Sequence, residues 1–551
     1  MDARNGPGEA GPGWQFPLDL VPADREPLTE RQAARWVWFF LALGIAARTV
    51  RFLLRFPLWE DEAFLSANLL DRGYAALMGP LDYDQVCPLG FLWVQLSLVQ
   101  LLGFHELSLR LFSYLGGLGG LFLFRYVAGR FLKGSPLVVA MAIFAVAYPG
   151  VRYAAEAKPY GPDLFFSLAL SAMAVAWWRR PAQRRWLWGI AALTPVAVGI
   201  SFTSVFVAGG ISLFAAWLLW KRRDRGGWVP WVVFNAALVG SFALLFVLSA
   251  SNQSQATLQW MQDYWQEGFP PLTQPLKLVK WLAVTHSGDL LAYPFGGRRG
   301  GSTLTLICCV AGVVAICRRR QVSLLGFLLA PLGLTLVAAA LHRYPYGQMV
   351  KFQIYLAPAF CLLAGAGAAT LVLNAFGRFR PLVFLLGVLA LFAVGTMARD
   401  FWFPSKSAWV MRSRDFARWF WVTAQFDGEV ACLKTDLGLC FAPNDYQRGL
   451  SSMYRCNQRI YCPRIARGDP PQWDRVSEKW PLRCVEYRSM WRPYNQAAHD
   501  RWLAGMQKRY TLVGRERFLF AREDRKGRPP QEPDCLEVYK FVPISGPGGP
   551  S

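Results

Sequence analysis

The chain has 551 residues, 54% hydrophobic and 15% aromatic, with 24 Trp, a mean hydropathy of +0.23 and a formal net charge of +23. Several nearly uncharged windows of about 18 residues or more exclude a soluble globular class and place the chain among polytopic membrane proteins. Nucleic acid is not expected as a partner, because no basic run is interleaved with a DNA- or RNA-binding module and the arginines instead punctuate the hydrophobic segments.

Residues 1–33 are rich in Gly, Pro and acids with no apolar run, so they read as a disordered cytoplasmic N-terminus rather than a cleavable signal. The first apolar segment, 34–54, is long enough to cross a bilayer. It carries Arg48, Arg51 and Arg55 on one helix face and ends at the acids Glu60, Asp61 and Glu62, with Trp59 at the interface. Arginines at the exit of a span are costly and tend to have a function. Acids able to move protons beside arginines suited to phosphate suggest an active site on the membrane surface; the plainer alternative is a solvated loop.

Basic clusters at Arg125/Arg130/Lys133, Arg179/Arg180/Arg184/Arg185, Lys221/Arg222/Arg223/Arg225, Arg318/Arg319/Arg320 and Arg378/Arg380 orient the remaining apolar segments. If each cluster is cytoplasmic, the spans between clusters come in pairs. The segments 107–126, 136–148, 160–178, 186–200, 203–220, 228–250, 302–317, 322–341, 350–373 and 381–398 satisfy that rule. With the first, they make eleven transmembrane helices, with the N-terminus inside and the C-terminus outside, in a plasma (inner) membrane protein. The stretch 88–104 is apolar but short, and reads as a helix lying in the outer interface within a long external loop, 55–106. Polar and aromatic residues also collect in the external stretches 149–158, 251–301 and 342–348.

From 401 onward the composition turns soluble, with 25 Lys/Arg, 16 Asp/Glu and no spanning window. Strand-like pieces at 430–433, 484–487, 510–520 and 536–541, with an amphipathic helix at 495–509, predict an extracytoplasmic α/β domain over 400–545. Its six cysteines, Cys432, Cys440, Cys456, Cys462, Cys484 and Cys535, suggest a framework of at least two disulfides. Zinc is disfavoured, since no CxxC spacing or nearby His supports it.

Five short motifs occur in an informative order: Leu58-Trp59-Glu60-Asp61-Glu62-Ala63-Phe64, then Pro88-Leu89-Gly90-Phe91, then Glu106-Leu107-Ser108-Leu109-Arg110-Leu111. Tyr153-Ala154-Ala155-Glu156-Ala157-Lys158-Pro159-Tyr160 comes next, and last His342-Arg343-Tyr344 with Tyr355-Leu356-Ala357-Pro358. Together, over about residues 34–373, they resemble the GT-C membrane glycosyltransferases, the group of the protein O-mannosyltransferases and lipid A aminoarabinose transferases, with Lys158 where that family often has Arg. The resemblance implies an all-α polytopic body and sugar transfer from a polyprenyl-phosphate donor to an acceptor on the outer face. Sugar, acceptor and lipid length stay open.

In that scheme Asp61 is the general base, because a sugar hydroxyl is a poor nucleophile until a carboxylate takes its proton. Glu62 orients acceptor or base, and Glu156 can share a divalent cation with Asp61, although the sequence requires no metal. Lys158, Arg343 and Arg110 are candidates to grip the phosphate, with snorkelling the alternative for Arg343 and a salt bridge to Glu106 for Arg110. Tyr160 and Tyr344 fall in the motifs as substrate contacts, and Tyr344 and Tyr346 also suit an interfacial aromatic belt. His105 and His286 read as satisfied polar residues. The rival class, a transporter or lipid-linked glycan flippase, would place ionisable groups at the bilayer midplane and show inverted repeats.

Overall fold

Two of the long helices begin where a capping side chain meets an apolar run. Thr29 and Gln32 form a reciprocal capping box that starts the helix Glu30–Leu53. His105 does the same for Glu106–Phe131: its Nδ1 accepts from the Ser108 backbone N–H at 3.1 Å, and its own N–H donates to Ser108 Oγ. The computed structural model describes residues 17–250, 262–295, 300–376, 379–420, 429–432, 445–461, 481–488, 496–520 and 534–544.

A helix occupies each of the eleven expected spans, and the protein is a helical bundle carrying a small C-terminal sheet. Among the described residues, eight helices are long and apolar enough to cross a membrane. The other three positions hold Gly134–Val146, Tyr160–Arg179 and Arg185–Ile200, of 13, 20 and 16 residues. At 1.5 Å per residue the first covers roughly 20 Å, short of a full hydrocarbon core near 30 Å. The expected interfacial segment is the helix Leu89–Leu102, with Trp93, Leu101 and Leu102 exposed.

Contacts between the expected inner loops put them at one end of the bundle. Arg184 pairs with Asp224 at 3.3 Å, and the Phe131 ring lies 5.8 Å from Trp178 and 5.9 Å from Phe327. The N-terminal segment joins this end, so the part of the expected disordered stretch 1–33 that the structure describes is ordered, while residues 1–16 lie outside the described residues. From Leu18 onward the chain is packed: Leu18 donates to Phe131 O at 2.7 Å, and Leu20, Val21 and Leu28 are buried. The Glu26 carboxylate accepts from the backbone N–H (3.1 Å) and hydroxyl of Ser135, capping the next helix.

At the other end, Gly116 and Gly161 let the helices Glu106–Phe131 and Tyr160–Arg179 meet backbone to backbone; a Cβ on Gly161 would collide with Ser113 O. Ser113 Oγ donates to Lys158 O at 2.5 Å just above this crossing. The first and last membrane helices are joined by a buried ion pair, Arg51 to Asp400 at 2.6 Å.

The C-terminal sheet has the order β1 (Glu429–Cys432), β2 (Leu482–Arg488), β4 (Asp534–Pro543), β3 (Tyr510–Phe520). The β1–β2 pair is parallel and the others antiparallel, with a bulge at Leu512/Gly514. The helix Gln496–Gln507 buries Trp502 and Met506 against Leu482, Tyr539 and Phe541, as its amphipathic pattern predicts. A further helix, Asp445–Tyr461, is not anticipated from sequence; it packs on the acid-bearing first loop. Cys456 on it is a free buried thiol, so the six cysteines cannot form three disulfides. Cys484 and Cys535 are buried in the sheet region, and the side chains of Cys432, Cys440 and Cys462 lie outside the described residues.

Candidate functional site

The acids stand in the first turn of a short helix, Glu60–Ser66, where carboxylates oppose the positive end of the backbone dipoles. The three differ in environment. Glu62 is 1% exposed and takes a two-pronged grip from Arg110, Nε to Oε1 at 2.8 Å and Nη2 to Oε2 at 2.6 Å. Its Oε1 also accepts the Ala157 N–H at 2.7 Å, while Arg110 Nη1 donates to Phe56 O at 2.6 Å. Glu62 and Arg110 therefore neutralise each other and pin three segments: the end of the first helix, the acid turn and the 154–158 loop. Leaving one member of such a buried pair alone costs about 3–5 kcal/mol. Arg110 does not bond Glu106, which accepts from Tyr461 at 2.7 Å instead.

Asp61 faces outward, its side chain 21% exposed, between two ammonium groups. Lys158 lies 3.1 Å from Oδ1 and Lys351 2.9 Å from Oδ2. Burial by itself would raise the Asp61 carboxyl, but Lys158 and Lys351 outweigh it and hold the group well below the usual carboxylate range. Lys158 also donates to Gln85 Oε1 at 2.7 Å. Glu156 pairs with Arg152 at 2.8 Å, and its Oε2 is buried with no hydrogen-bond partner among the described residues. No group of three or more His, Cys, Asp or Glu side chains suited to a metal ion occurs among the described residues.

Aromatic rings wall this charged end. Tyr160 meets Tyr153 edge-on at 4.9 Å, and both pack with Ile354, three residues beyond Lys351. Tyr344 donates to Phe352 O at 2.8 Å and leans on Phe206. Tyr346 is 1% exposed and bonded to His286 Nε2 at 3.0 Å, so it is an internal residue and not part of a lipid-facing belt. His105 and His286 are both satisfied, the latter also through Leu282 O at 2.8 Å.

The arginine face of the first helix does not line the site. Arg48 is fully buried and donates to Gly44 O and Ala145 O at 3.0 and 2.8 Å, and Arg51 is spent on Asp400. Arg55 lends its carbonyl to Arg414 at 2.9 Å. Arg343 is exposed, and its side chain makes no hydrogen bond or ion pair among the described residues. The structure thus gathers Asp61, Glu156, Lys158 and Tyr160 with Lys351, which the sequence did not single out. Its only signal was a lysine within the hydrophobic run that opens the tenth span, where a charge needs a partner.

No protein family and no curated protein matches the chain. ArnT from Cupriavidus metallidurans in the apo state is similar at 14% identity and a TM-score of 0.49, over 92% of this chain and 98% of that one. The same protein bound to undecaprenyl phosphate gives the same values. The archaeal oligosaccharyltransferase AglB from Archaeoglobus fulgidus, in complex with an inhibitory peptide and a dolichol-phosphate, is similar at 12% identity and a TM-score of 0.44, over 76% of this chain and 64% of that one.

Proposed function

We propose that the chain is a membrane glycosyltransferase that moves a sugar from a polyprenyl-phosphate donor to an acceptor hydroxyl on the outer membrane face, with Asp61 as general base. The observation that carries this is the partly exposed carboxylate held between Lys158 and Lys351. A proton acceptor and two phosphate-suited cations sit at one end of an apolar bundle, where an isoprenoid tail has hydrocarbon beneath it.

The clamp also suggests an order of events. A carboxylate tied to two ammonium groups is a poor base. A phosphate arriving at Lys158 and Lys351 competes for them and releases Asp61, so base strength is acquired when the donor is in place. The acceptor oxygen then bonds to the anomeric carbon, the bond from that carbon to the phosphate oxygen breaks, and the acceptor proton passes to Asp61. The lysines stabilise the charge gathering on the departing phosphate. Glu62 and Arg110 hold the acid turn in register and touch neither substrate. Arg152 and Glu156 form the adjoining wall, with Tyr160 packed beside them.

Incubating purified protein with a panel of polyprenyl-phosphate sugars and following loss of the sugar tests the reading. Sugar transfer from a nucleotide sugar with no polyprenyl phosphate present would contradict it.

A further inference from the structure

One cation near Asp61 is used by no carboxylate among the described residues. Lys158 and Lys351 pair with Asp61, and Arg152 pairs with Glu156. Lys406 lies close enough to Arg152, Glu156, Lys351 and Asp61 to feel all four charges, yet it makes no ion pair among the described residues. Its Nζ instead lies against the face of the Trp59 ring, the indole that Lys351 approaches to 5.8 Å. Lys406 comes from the connector between the last membrane helix, Phe379–Trp402, and the helix Ala408–Arg418. It therefore belongs to none of the motifs that mark the rest of the site.

Because Arg110 neutralises Glu62, four cations here face two carboxylates. The proposed reaction changes the charge on the phosphate. A sugar-bearing phosphodiester has one negative charge; once the electron pair of the broken bond stays on the phosphate oxygen, the resulting monoester approaches two. The product thus asks for a cation that the bound donor does not. Lys406 rests on a ring and is in no ion pair among the described residues, so it can turn to an incoming anion without breaking one.

We propose that Lys406 is a phosphate-binding residue that meets the second negative charge of the departing phosphomonoester, giving the site a preference for the free lipid phosphate over the phosphodiester donor. The proposal rests on the glycosyltransferase reading above. Desolvation at the ring, with Arg152 nearby, pulls the ammonium down to about 8, which leaves it mostly charged at neutral pH.

The test compares full-length wild type, Lys406→Gln and Lys406→Arg in detergent, titrated with polyprenyl phosphate, with its methyl phosphodiester and with inorganic phosphate. Lys406→Gln should weaken binding of the monoester about tenfold and of the diester less than twofold, and Lys406→Arg should recover most of the loss. The same dependence with inorganic phosphate supports the proposal and assigns recognition to the headgroup; dependence with the lipid alone supports it with the tail required. Equal weakening of monoester and diester, or no weakening of either, overturns the role of Lys406 and leaves the transferase reading standing. Failure of the wild type to bind either lipid overturns both.

Discussion

A carboxylate between two lysines is acidic because of its neighbours, so removing one of them should be visible in the pH dependence. In Lys351→Met, Asp61 keeps its partly buried position and loses one of its two cations, so its carboxyl should rise. The acid limb of the kcat/KM profile is then expected to move upward from the wild-type position, while donor affinity falls. An unmoved limb would show that Lys351 does not set the state of Asp61. The stability sign is consistent: a depressed carboxyl contributes stability that is present above its unfolded value near 3.9 and lost as pH falls through the folded value. The variant should therefore lose part of its advantage at neutral pH. At this scale the acids of the site were legible in the sequence, because three carboxylates at the end of a span are conspicuous. Their division of labour was not. Glu62 finds Arg110 48 residues away and Asp61 finds Lys351 290 residues away, and no local pattern records either pairing.

The helices that carry these residues were nearly all readable, since hydropathy and capping act within a few turns. What escaped were elements whose stability comes from docking. The segment from Leu18 to Leu28 scatters its apolar residues among prolines and acids, so no period betrays it, yet it seals the turn at Lys133. The helix Asp445–Tyr461 likewise gains its meaning from what it covers. Arg455 pairs with Asp71 at 2.6 Å, and Cys456 and Tyr461 touch Ala63 and Glu106, so the C-terminal domain rests on the acid turn. Close backbone crossings are the other hidden feature. Gly161→Leu should force the Ser113 crossing apart and displace Lys158, lowering donor affinity together with thermal stability by several kcal/mol. A fully active, equally stable Gly161→Leu protein would show that the crossing does not position Lys158.

For the whole molecule, the ends of the bundle are distinguished by chemistry. Basic clusters meet the N-terminal segment at one end, and the acids, Lys158, Lys351 and the C-terminal domain gather at the other. By the positive-inside rule we propose that the first end faces the cytoplasm. Single cysteines placed near Lys133 and near Gly347 in an otherwise cysteine-free protein should then respond differently to an impermeant thiol reagent in intact cells. Only the second should be modified, and labelling at the first would reverse or break the topology.

The central claim, that Asp61 accepts the acceptor's proton, is tested most directly by Asp61→Asn, with donor binding and single-turnover transfer measured on the same preparation. Asn is close in shape but cannot take the proton, and its loss of charge leaves Lys158 and Lys351 free for phosphate. The account expects donor affinity equal to or tighter than wild type and transfer slowed by roughly a hundredfold or more. Near-normal turnover in Asp61→Asn would contradict it and move the base to another carboxylate.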